Sequence, residues 1–164
     1  MIYYSLIFSH LIYAIEVWGN AHSTLINRIF ILQKRAVRAI VYKDMHDINY
    51  ALPQSNPLFL KLSIMKIHNI FKLKLITFVY KCLYQIHPVN FYNWFIFSNR
   101  IHSHITRSST QNNIFIPQIR TTNYGLKSIK YNGAKSWNTL NSNIKFSNDI
   151  ATFTRLLKEY LVSH

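Results

Sequence analysis

Four groups of residues have types and spacings that could do chemistry. The run Asp44-Met45-His46-Asp47 offers three ligands to a divalent ion. Ligands at i, i+3 spacing do not by themselves close a coordination sphere, so a solvated loop is expected there. His102 and His104 form an H-x-H pair. Zinc would need further ligands from elsewhere, and the polar setting offers no cysteine, so no metal and no cofactor are assigned. Cys82 is the single cysteine, which excludes a disulfide framework and any multi-cysteine zinc site. It falls on an apolar stripe and is expected to be a buried, unreactive thiol, leaving no Cys-His or Ser-His-Asp arrangement to argue for. The fourth group is basic. Arg28, Lys34, Arg35 and Arg38 share one flank of a predicted helix, where several could meet phosphates along one backbone. Arg120, Lys127, Lys130 and Lys135 decorate a later region beside Tyr124, Tyr131 and Trp137. Such cations give salt-sensitive affinity with little sequence reading. Exposed aromatics among them could stack on single-stranded bases, although burial is the expected fate of these three.

Composition favours the basic group. The 164 residues carry 19 Lys and Arg against 5 Asp and Glu, a formal charge of +14. Eight histidines add to it below about pH 6.5. Apolar residues make up 49% of the chain, which excludes a disordered basic tail. A mean hydropathy of +0.02, with Lys and Arg spread along the chain, argues against a polytopic membrane protein. Three glycines leave little for a phosphate-cradling loop, and five acids are few for two-carboxylate or two-metal chemistry. A compact cationic module with a polyanionic partner is the expectation.

The elements that must position these residues read as mainly α, a helical bundle with a small β-hairpin near the C-terminus. Met1–Trp18 is apolar for almost the length of a bilayer crossing but lacks a signal peptide's basic flank and cleavage site. His10 and Glu16 interrupt it and its tyrosines are distributed, so a buried core helix is expected, closed by a left-handed turn at Gly19-Asn20. Ser23 or Thr24 caps a second helix reaching about Tyr42, with Leu25, Ile29, Leu32, Ala36 and Ile40 as its apolar stripe. Lys43–Gln54 is a loop. Pro57 opens a long helix to about Gln85, ended by His87-Pro88. Its stripe is Leu60, Ile64, Ile67, Phe71, Leu75, Phe78 and Cys82.

Beyond residue 98 the texture turns polar. The expected organisation is a helical region over 1–98, a polar loop or linker over 99–113, and a hairpin plus C-terminal helix over 114–164. Ile114–Arg120 and Lys127–Tyr131 alternate as two short strands around a turn at Asn123-Tyr124-Gly125, with Pro117 confining the first to an edge. Asn148 or Asp149 caps a last helix whose Phe153, Leu157, Tyr160 and Leu161 share a face.

Read in order, SLIFSHLIYAIEVWG (Ser5–Gly19), LQKRAVRAI (Leu32–Ile40), PLFLKL (Pro57–Leu62), RTTNYG (Arg120–Gly125), GAKSWNTL (Gly133–Leu140) and FTRLLKEYL (Phe153–Leu161) resemble one region of a known family. It is the part downstream of the polymerase palm in reverse transcriptases of LINE-type (non-LTR) retrotransposons. The resemblance spans nearly the whole chain and lies in the ordered combination, since GAKSWN or LQKRA alone is weak. Such an enzyme carries palm carboxylates, two of them in an aromatic-x-Asp-Asp turn, that hold two magnesium ions. Here the aspartates are Asp44, Asp47 and Asp149, and none are adjacent.

The resemblance therefore implies a thumb and C-terminal region, a non-catalytic fragment from a truncated copy of the element. It implies binding to primer–template, an RNA–DNA duplex or the element's RNA, with the palm of a full-length polymerase as a further partner. An intracellular location, nuclear or cytoplasmic, without stable membrane insertion, is expected from the interrupted N-terminal run and its lack of a cleavage site. Two other classes stay open: a small cationic membrane-associated protein anchored by residues 1–18, and a decayed element remnant without function.

Overall fold

The computed structural model describes residues 3–44, 54–101, 111–147 and 149–163. These are mainly α-helical and include no strand; their one β contact is an isolated antiparallel bridge from Phe97 to Ile114. The chain divides into two compact units, Met1–Phe71 and Lys72–His164.

In the first unit the apolar N-terminal run is interrupted. A π-helical stretch, Tyr3–Phe8, leads into α1 (Ser9–Ile12) and then α2 (Ile15–Trp18). Between α1 and α2, Tyr13 is extended and Ala14 takes a left-handed φ of 48°. The left-handed turn predicted at Gly19-Asn20 is thus misplaced, since Gly19 is right-handed with φ −65°. The Trp18 indole N–H donates to the Tyr13 carbonyl at 2.7 Å, holding the break closed. Among the described residues no helix is long and apolar enough to cross a membrane.

Helix α3 (Ser23–Asp44) follows. Its first turn is served by His22, whose Nδ1 accepts from the Thr24 N–H at 3.4 Å. The inward face is Ile26, Gln33, Val37 and Val41 with Phe30 half-buried, one residue out of register from the predicted stripe. Leu25 and Leu32 from that stripe are 50% and 61% exposed. Both registers have helical period, and the polar Gln33 disguises the buried one.

The long helix predicted from Pro57 is two helices, α4 (Ser55–Lys61) and α5 (Ile67–Leu83). Ser63, at φ 52°, ends α4: its N–H bonds the Leu60 carbonyl and the Ile64 N–H bonds that of Phe59. Gln85, at φ 57°, ends α5 the same way, with bonds to Cys82 and, from Ile86, to Lys81. These are Schellman caps built without the usual glycine. Ile64, Ile67, Leu75 and Cys82 of the predicted stripe are buried, whereas Leu60 is 69% exposed.

Two apolar clusters form the core of this unit. One gathers Tyr3, Val37, Val41, Leu58, Phe59 and Ile64; the other gathers Ile15, Ile26, Ile67 and Ile70. The Gln33 amide, 1% exposed, links elements far apart in sequence. It donates to the Tyr3 hydroxyl at 2.8 Å and the Met65 carbonyl at 2.9 Å, and accepts from the Ile67 N–H at 2.9 Å. That last bond caps the start of α5.

Among the described residues the second unit shows no hairpin. Ile114 bridges Phe97 rather than the 127–131 segment, and the tip is a π-helical turn, Thr122–Leu126. The predicted second strand leads into α6 (Ile129–Asn138), because the Ser128 hydroxyl accepts from the Tyr131 N–H at 3.2 Å and caps the helix. The five residues Lys127–Tyr131 are too short a window of alternation to hold a strand against that cap. Then come α7 (Ser142–Lys145) and α8 (Ile150–Ser163). Asp149 caps α8 as predicted, its carboxylate accepting from the Ala151 and Thr152 N–H groups at 3.0 and 3.2 Å. Most of the polar stretch over 99–113 lies outside the described residues, but Ser98 donates from its N–H to the Asn113 carbonyl at 2.9 Å.

The core here is one cluster with an aromatic stack inside it. Tyr80 and Phe153 stack at 4.3 Å between centroids, and Trp137 and Phe153 at 5.8 Å. Gly133 lets α6 approach so closely that a Cβ would lie 2.9 Å from both Val79 and Phe95. The GAKSWN segment is therefore a packing surface: Gly133, Ala134 and Trp137 are buried. Asn138 pairs with both backbone groups of Ile114 at 2.8 Å, as a strand would.

Candidate nucleic-acid interface

The predicted basic residues fall four in each unit. On α3, Arg28 and Arg35 are exposed and point about 170° from the centre of the buried face. Lys34 and Arg38 flank that face and are half-buried. The Lys34 ammonium lies 4.3 Å from the centre of the Phe30 ring, an attraction that fixes a long side chain. Arg38 has its Nε buried with no hydrogen-bond partner among the described residues. Ile31 and Leu32 stand between the two outward arginines and Leu25 one turn before them, all 48% exposed or more. The flank is therefore two outward guanidiniums set among apolar side chains, with two further cations against the core edge.

In the second unit Arg120, Lys130 and Lys135 are exposed and Lys127 is half-buried. Arg120 and Lys127 flank a closed turn, whose ends meet where the Leu126 N–H donates to the Thr121 carbonyl at 3.1 Å. Lys130 lies over Trp94, 5.0 Å from its ring centre. Lys135 projects about 140° away from Lys130 around α6, so these two do not share a face. Of the aromatics predicted beside them, Trp137 is core, Tyr131 is half-buried, and Tyr124 is 91% exposed.

Charge is distributed unevenly along the chain. Lys72–His164 holds twelve Lys and Arg against two acids, a net +10, while Met1–Phe71 holds seven against three, a net +4. Both acids of the second unit have local work: Asp149 caps α8 and Glu159 pairs with Arg155 at 3.0 Å. That exposed i, i+4 pair is the one salt bridge among the described residues. The exposed Lys and Arg among the described residues, other than Arg155, are consequently without a carboxylate partner and can meet an external anion.

Two buried groups went unread or are chemically quiet. Lys145, 1% exposed, donates to Asn113 Oδ1 at 2.7 Å and to the Asn138 carbonyl at 3.4 Å. Burial holds its pKa below that of an ordinary lysine. No sequence pattern marks it, since it sits in a short helix among polar residues. Burial pushes the Cys82 thiol up from 9.0 to about 11, so it is a protonated core residue rather than a nucleophile.

No three His, Cys, Asp or Glu side chains gather as metal ligands among the described residues. The pair His102 and His104 lies outside those residues, as do Met45, His46, Asp47 and the Asp44 side chain. No family model, no curated protein and no solved structure matches the chain.

Proposed function

We propose that this chain is a nucleic-acid-binding module with no catalytic activity of its own, similar to the thumb and following region of a LINE-type reverse transcriptase. The observation that carries the binding is the net +10 of Lys72–His164, with one ion pair among its described residues. Exposed Arg120, Lys130 and Lys135 in that unit, and Arg28 and Arg35 in the other, are the contacts offered to phosphate. The ordered segments of the sequence carry the family reading. Their packing roles support a scaffold: Gly133, Ala134 and Trp137 build a core rather than a reaction centre. Polymerisation needs anchored carboxylates for two metals, and the chain has no adjacent aspartates to supply them.

The test is titration of a labelled RNA–DNA duplex at several salt concentrations. Affinity should fall steeply with salt, by about 0.9 in slope for each phosphate contacted. Arg28→Gln with Arg35→Gln should lower that slope by up to about 1.8, more than a control pair, Lys61→Gln with Lys158→Gln. Salt-independent binding, or none at low salt by folded protein, overturns the reading. On a primed RNA template with magnesium or manganese, no nucleotide should be incorporated.

A further inference from the structure

Tyr124 is the most exposed of the large apolar and aromatic residues described, at 91%. Its side chain stands almost wholly in solvent. An aromatic ring so placed gains nothing from the fold, since its apolar surface stays in water. The turn that displays it is nevertheless built with care.

The π-helical turn Thr122–Leu126 is shut at its base by the bond from the Leu126 N–H to the Thr121 carbonyl. It is tied to α6 twice. The Ser128 N–H donates to the Gly125 carbonyl at 2.9 Å, and the Asn132 side-chain amide donates to the Leu126 carbonyl at 2.7 Å. Gly125 packs so tightly on Ile119 that a Cβ would overlap its side chain. The ring thus stands on a backbone already ordered, so stacking on it costs little further conformational entropy. Arg120 precedes the turn and Lys127 follows it, and neither has a carboxylate partner.

We infer that Tyr124 is a stacking platform for an unpaired base, with Arg120 and Lys127 holding the phosphates on either side of that nucleotide. The class of ligand is single-stranded nucleic acid. Bases in a duplex are already stacked on their neighbours and offer no face to a projecting ring, whereas every unpaired base does. This inference rests on the nucleic-acid reading above and adds to it a preference between strand states.

The experiment compares three probes of equal length: a thymidine oligonucleotide, the same strand with abasic sites, and a duplex. The parent should bind the thymidine strand more tightly than the abasic one, which has the phosphates but not the bases. Tyr124→Ala should weaken thymidine binding by roughly 5- to 150-fold, the range found for loss of one stacked base. It should leave abasic and duplex binding within about twofold, as electrostatic contacts are unchanged. Tyr124→Phe should bind like the parent. Circular dichroism should be unaltered, because the side chain touches so little. If Tyr124→Ala binds thymidine as the parent does, or loses all three probes equally, the stacking role is wrong and the electrostatic reading stands. If the folded parent binds no probe at low salt, both fail.

Discussion

Among the described polar and charged residues, the most buried in Met1–Phe71 is Gln33, with a neutral amide, and in Lys72–His164 it is Lys145, with an ammonium. An amide donates and accepts, so Gln33 can tie together Tyr3, Met65 and Ile67. An ammonium only donates, so Lys145 must be supplied with acceptors, here Asn113 Oδ1 and the Asn138 carbonyl. The apolar surroundings differ in arrangement: two separate clusters in one unit, a single larger cluster with a stack of Tyr80, Phe153 and Trp137 in the other. So does the surface, at +4 against +10. The lesson is that a chain with five acids can bury a cation if amide oxygens take the place of carboxylates.

The largest effect should come from the stack of Tyr80, Phe153 and Trp137. Trp137→Ala should cost about 3–5 kcal/mol, read by denaturant unfolding, with amide exchange showing lost protection in Lys72–His164. A cost under 1 kcal/mol would mean that Trp137 does not organise that core. Gln33→Leu keeps the volume but strands an N–H, a carbonyl and a hydroxyl, and should cost about 2–4 kcal/mol. Stability equal to the parent would break the contrast at its first term. Lys145→Met shortens the side chain by one atom, removes a desolvated charge and strands two acceptors, one weakly held; a loss of about 1 kcal/mol is expected. A loss as large as that of Gln33→Leu would make the two buried groups equivalent.

The smallest effect concerns pH. Cys82 is held protonated by burial up to about 11 against an ordinary 9.0. Above pH 9 the unfolded chain releases this proton first, so stability should fall as the pH climbs towards 11. Tyr3 and Tyr80, also raised by burial, act in the same sense above pH 10. Lys145, lowered by burial, acts in the opposite sense. Cys82→Ala should flatten the decline between pH 9 and 11 in thermal melts. An unchanged slope would place the Cys82 thiol outside the core.

How much of this was legible from sequence depends on which signal governed each element. The extent of α3, the cap of α8 by Asp149 and the buried face with Phe153, Leu157 and Leu161 follow from period and capping chemistry. The break between α4 and α5 was invisible because Ser63 occupies a cap position where glycine is the usual marker. The same holds for Ala14. The register of α3 was misread because a buried glutamine looks like a solvent residue until its three partners are known. The hairpin was misread because Asn138, a side chain, satisfies Ile114 in place of a strand. Basic residues could be placed on helix flanks, but sequence alone buried Tyr124, whose exposure is set by the closure of its turn.

Lys145 also gives the protein an internal clock. It is the one lysine buried among those described, and its amine is occupied by two acceptors. An acylating reagent in brief contact with the native protein should mark the exposed lysines and leave this one blank. Its labelling would then record each opening of the segment between Asn113 and Asn138, timing local excursions that a bulk melt averages away.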